Sequence, residues 1–84
     1  MRILIVEDEP NLGKQLKSTL EGAGYAVDLS VDGEDGHYMG SNENYDAVIL
    51  DLGLPEIDGL TVLDRWRKEG RKFPVLVLTA RDSW

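Results

Sequence analysis

The stretch Ala47-Val48-Ile49-Leu50-Asp51-Leu52-Gly53-Leu54-Pro55-Glu56-Ile57-Asp58-Gly59 decides how this chain is read. Its first four residues are apolar without polar alternation, the pattern of a short strand buried on both faces of a parallel sheet. An aspartate follows directly, then a loop marked by Pro55 and Gly59. Asp58 and Glu56 suit that loop and the start of the next helix. Leu60, Leu63 and Trp66 (or Arg67) then recur at helical spacing until Gly70, which predicts a helix closed by glycine, with Trp66 in the core. One strand thus delivers a carboxylate to a loop that opens a helix.

Working outward, the runs Ile3 to Val6, Tyr25 to Leu29 and Val75 to Leu78 join it, with successive starts 22, 22 and 28 residues apart. That interval holds one helix between strands, the rhythm of repeated β-α-β units. The run from Tyr25 alternates through Asp28 and reads as an edge strand. Pro10, with Leu12, Leu16 and Leu20 at i, i+4 and i+8, predicts an amphipathic first helix stopped by Gly22 and Gly24. Gly13 inside it costs about 1 kcal/mol relative to alanine, for no reason visible in the sequence. Asp32 is a plausible cap for a second helix, but Gly33, Gly36 and Gly40 predict that it is short and marginal. The order is β-α-β-α-β-α-β, an α/β doubly wound parallel sheet in one domain over residues 1–84. Such a sheet ordinarily continues past its fourth strand, so a fragment is expected.

Composition excludes several functions. With 9 basic against 16 acidic side chains the formal charge is -7, which repels nucleic-acid phosphates and anionic lipid. The absence of cysteine removes disulfides, thiol catalysis and thiolate metal sites. The apolar runs fall far below the roughly 20 residues of a membrane span, and a soluble, cytoplasmic chain is expected. Five of the basic residues lie between Arg65 and Lys72, where they complement a helix C-terminus. His37 has no histidine partner and reads as a surface residue.

In an open parallel sheet the functional crevice lies outside the carboxyl ends of the strands. Glu7, Asp8 and Glu9 follow the first strand, Asp51 the third, and Thr79 and Ala80 the fourth. Were these strands neighbours, their ends would lie roughly 5 Å apart, bringing Asp8 beside Asp51 with Thr79 on the other flank. Two carboxylates at about 5 Å repel by roughly 3 kcal/mol at an effective dielectric of 20. A divalent cation answers that charge, and hard oxygen donors without cysteine or a histidine pair select magnesium or manganese over zinc, in a site that suits Mg2+. A cation beside a strand-end aspartate suits covalent phosphoryl capture, with Asp51 as the acceptor. The rival reading is an Asp-nucleophile phosphohydrolase of α/β fold, though no Asp-x-Asp follows any strand. A nucleotide-binding domain is weaker still, because neither G-x-x-x-x-G-K-[ST] nor G-x-G-x-x-G occurs.

The Asp51 to Gly59 stretch, with Glu7-Asp8 and Thr79-Ala80, resembles the receiver domain of bacterial two-component response regulators, and the resemblance covers the entire chain. LDLGLPEIDGL and VLVLTARD further resemble the OmpR-type subfamily, in which a winged-helix DNA-binding domain follows. The resemblance implies a flavodoxin-like sheet of strand order 2-1-3-4, with the fifth strand and last two helices absent from this chain. It implies that Asp51 is the phosphoacceptor and Asp8 a Mg2+ ligand, with Glu7 in the metal site, often through water. The Gly53 carbonyl becomes a third protein ligand, and the Thr79 hydroxyl turns toward the phosphoryl group. The implied partner is a sensor histidine kinase, and DNA is reached only through a domain this chain does not contain. The family's fifth-strand lysine has no counterpart here, so phosphorylation that is slow or absent is expected. An uncovered fourth strand, and Leu12, Leu16 or Leu20 left partly bare, lead to the expectation of self-association.

Overall fold

The computed structural model describes residues 1–78. Within them β1 (Arg2–Val6), α1 (Pro10–Gly22), β2 (Ala26–Ser30), α2 (Gly33–Asn42), β3 (Ala47–Asp51), α3 (Gly59–Lys68) and β4 (Val75–Leu78) alternate as the spacing predicts. The strands form one parallel sheet of order β2-β1-β3-β4, with β2 on an edge. None of the helices among the described residues is long and apolar enough to cross a membrane.

Alternation along the strands divides the core in two. Leu4, Val6, Val48 and Leu50 face α2 and α3, where they pack with Val62, Trp66, Ile57, Leu54, Tyr45 and Phe73. Ile3, Ile5 and Val27 face α1, joined by the partly buried Leu16, Leu20, Leu29 and Ile49. Leu12, Leu16, Leu20 and Ile49 also line an open groove of about 320 Å³ beside α1.

The buried helical glycines prove to be packing surfaces. Gly13 is buried, and a Cβ there would lie 3.1 Å from Leu29 Cδ1, so its helix cost secures close approach to β2. On α2 the same holds at Gly36 against Val6 and Gly40 against Trp66, with ideal Cβ positions 2.7 and 2.5 Å from those side chains. The predicted α2 cap holds, since the Asp32 side chain accepts the Asp35 N–H at 2.7 Å. Gly24 and Gly70 adopt φ of 99° and 82°, ending α1 and α3, whereas Gly22 lies within α1. Leu60 departs from its expected core place and is exposed; the buried face of α3 is carried by Val62 and Trp66, four residues apart.

The basic run at the end of α3 is exposed, as expected of a helix C-terminus, except for the partly buried Arg71. Arg71 donates to the Gly40 and Glu43 carbonyls at the end of α2, and Arg67 to the Arg71 and Phe73 carbonyls. Arg71 thus clasps the α3–β4 connection to the end of α2, and Arg67 braces that connection from α3. His37 is half-buried, with Nε2 2.6 Å from Glu69 Oε2.

At the amino ends of the strands, Arg2 pairs with Asp28 and Glu43, each at 2.9 Å, while its N–H donates to Asp46. The Tyr45 hydroxyl donates to Asp28 at 2.7 Å and, with Arg2, holds that carboxyl below the usual aspartate range. A depressed carboxylate stabilises the fold above its ordinary titration range, and the contribution disappears as pH falls through the lowered value. Tyr45→Phe is expected to cost about 1 kcal/mol at neutral pH and to shrink the acid-side fall in stability. Chemical denaturation across a pH series checks this.

Candidate functional site

The register builds the site. Val6 pairs with Leu50, so the next residues, Glu7 and Asp51, emerge side by side at the carboxyl edge of β1 and β3. Strand order reverses between these two strands, and an open parallel sheet forms its crevice at such a point. Glu7 and Asp51 are buried, with only 3 % and 6 % exposure, whereas Asp8 is exposed. Each of the three offers a carboxylate oxygen within 4.8 Å of the others.

Backbone donors orient two of these groups. Glu7 is tied to β2 by its N–H on the Ser30 carbonyl at 3.0 Å, and its Oε2 accepts the Glu9 N–H at 3.1 Å. Asp51 Oδ1 accepts the Gly53 N–H at 3.0 Å. The loop after β3 returns immediately, for the Gly59 N–H donates to the Leu52 carbonyl and a Cβ on Gly59 would lie 2.4 Å from the Asp51 oxygen. Only glycine permits that approach, and with it Asp58 caps α3 by accepting the Thr61 N–H at 2.8 Å.

Glu9, sequence neighbour of the cluster, is employed elsewhere. Its carboxylate caps α1, accepting from the Asn11 and Leu12 N–H groups at 3.3 and 2.6 Å. The acidic run therefore divides into two pocket residues and one helix cap. Gly53 lies in the loop with its amide on Asp51. Thr79 lies outside the described residues. Gly59, whose bare Cα lets the loop close on Asp51, escaped the sequence reading except as a loop marker.

The electrostatics favour a cation. Burial, reinforced by the neighbouring Asp51, pushes Glu7 up to about 7 against the opposing pull of the Glu9 amide. Among the described residues no lysine or arginine pairs with Glu7, Asp8 or Asp51. Three clustered carboxylates form a hard oxygen donor set that fits Mg2+, with room on the exposed Asp8 side for retained water.

This fold and site define a class of α/β domains with an acidic pocket at the switch point of the sheet. The response regulator receiver domain, as a family description, matches residues 3–84, and the chain belongs to that family. It is 48% identical over 83 residues to the transcriptional regulatory protein QseB of Haemophilus influenzae, covering 99% of this chain and 38% of that protein. The chain thus spans little more than a third of this curated relative. The structure of the Thermotoga maritima response regulator TrrA in complex with Mg2+-BeF superposes with a TM-score of 0.90 at 41% identity, covering 96% of this chain and 70% of that one. The complex of the histidine kinase ThkA with TrrA gives a TM-score of 0.88 at 40% identity, covering 99% and 72%.

Removing one carboxylate should relieve the crowding. A fully charged pair at 4.8 Å, the widest separation in the cluster, repels by about 3 kcal/mol at an effective dielectric of 20, and Asp51→Asn removes two such repulsions, with Glu7 and with Asp8. Without metal, that variant is expected to melt several degrees higher than the parent. The raised Glu7 value gives the folded chain the extra proton between 4.5 and about 7, so metal-free stability falls as pH rises through that window. In Asp51→Asn the fall should be shallower, as thermal melts in chelator at stepped pH will report.

Proposed function

We propose that this chain is the phosphoacceptor segment of a two-component transcriptional regulator, receiving a phosphoryl group on Asp51 from a sensor histidine kinase. The single observation that carries the reading is the convergence of Glu7, Asp8 and Asp51 at the β1/β3 switch point. Asp8 and Asp51 would hold Mg2+ directly, Glu7 through water, and the Gly53 carbonyl would complete the protein ligands. Bound there, the cation neutralises charge on the transferring phosphoryl oxygens. An Asp51 carboxylate oxygen attacks phosphorus, forming an acyl phosphate. The bond from phosphorus to the donor imidazole nitrogen breaks, and its electron pair leaves with the imidazole. Thr79 is assigned the hydroxyl that hydrogen-bonds the phosphoryl group. The ThkA complex with TrrA supports a kinase as the donor, and the Mg2+-BeF complex of TrrA supports the metal. Control of DNA binding is proposed for the longer regulator, on the OmpR-type resemblance and the likeness to QseB.

Incubation with a small phosphodonor and Mg2+, followed by intact-mass measurement, tests this. One added phosphoryl group that vanishes in Asp51→Asn is expected. Repeated turnover of the donor without an adduct would support the phosphohydrolase instead.

We assign a second copy of the chain to the apolar surface on the α1 side of the sheet. Leu76 on β4 is 62% exposed, and Ile49, its register partner, borders the groove lined by Leu12, Leu16 and Leu20. A charge of -7 opposes association, so it should strengthen with salt. Sedimentation velocity is expected to show a concentration-dependent dimer that Leu76→Lys disperses; a monomer at millimolar concentration overturns this assignment.

A further inference from the structure

Among the glycines on α2, Gly33 is the one that meets the loop leaving Asp51. A Cβ on Gly33 would lie 2.4 Å from Ile57 Cγ2 and 2.7 Å from the Ile57 backbone oxygen. The second contact is decisive, because a side chain can rotate aside and a carbonyl oxygen moves only with its loop. Ile57 is itself buried in the main core. Its N–H reaches back to the Pro55 carbonyl at 2.7 Å, spanning Glu56 at φ 65°. A tight turn centred on a non-glycine residue in the left-handed region persists only where its surroundings hold it. The loop has little slack on either side, for Gly53 is bonded to the Asp51 carboxylate and Gly59 to the Leu52 carbonyl.

We propose that Gly33 is a positioning residue for the acidic pocket: the bare first turn of α2 receives Ile57 and thereby fixes the loop that aims the Asp51 carboxylate. A methyl group at position 33 displaces the Ile57 backbone, and the displacement passes through the short loop to the Gly53 amide. The metal half of the inference rests on the Mg2+ reading of the pocket; the loop half stands without it.

The test compares Gly33→Ala with Gly40→Ala, whose added methyl meets the Trp66 ring instead of the loop. Two quantities are read by NMR on the full chain: hydrogen exchange of the Gly53 amide in chelator, relative to Leu50, and Mg2+ affinity. Gly33→Ala is expected to speed Gly53 exchange and to weaken Mg2+ about tenfold, the scale of an outer-shell loss. Gly40→Ala should lower the melting temperature and leave both quantities at their parental values. Unchanged Gly53 exchange in folded Gly33→Ala, or equal acceleration in Gly40→Ala, overturns the proposal. If the parent binds no Mg2+, the metal reading fails while Gly53 exchange still decides the positioning role. If Gly33→Ala does not fold, Ile57→Ala removes the buried side chain that seats the loop on α2, and unchanged Gly53 exchange there overturns the proposal equally.

Discussion

Three carboxylates crowded at one edge of a sheet are the constraint around which this molecule is organised. The parallel register of β1 and β3 leaves no choice in the matter: once Val6 and Leu50 are paired and buried, Glu7 and Asp51 must emerge together. Apolar packing on both faces of the sheet supplies the free energy that makes their repulsion tolerable. The Glu9 and Gly53 amides offset part of it. What remains uncompensated is a demand for positive charge, and a site that stores such a demand is prepared for a cation.

The glycines express the same constraint in steric form. A chain of this size has few contacts to spare, and it brings α1 and α2 onto the sheet by omitting side chains at Gly13 and Gly36, and α2 onto α3 by omitting one at Gly40. Gly33 and Gly59 repeat the device on either side of the loop that leaves Asp51. Helix propensity is given up where closeness matters more, which is why α2 runs for ten residues despite its three glycines.

Much of this was legible in the residues alone. Strand runs without alternation, Pro10, Asp32 and Gly70 marked the elements because each has a local backbone reason to sit where it does. The pocket followed from strand order, since parallel strands place their following residues at one edge. The inward stripe of α1 was read correctly; what could not be read was which face α3 presents. Leu60 and Val62 are equally apolar, and only the tertiary position of Trp66 shows that α3 turns Val62 inward. Nor could spacing reveal that Glu9 is taken by α1 while Glu7 is not, because that division depends on a turn of the backbone at Asp8. Arg71 read as part of a charged helix end and serves as a clasp, which spacing could not show because the carbonyls it reaches lie some thirty residues away.

The knot of Arg2, Asp28, Tyr45 and Glu43 sits where the strands begin, the pole opposite the acidic edge. Since every strand runs the same way, anything attached ahead of Met1 emerges at that far pole. A label or fusion partner there can serve as a handle for immobilisation or imaging without shadowing the chemistry. Its junction must spare the second residue, whose guanidinium ties three separate segments of the chain together.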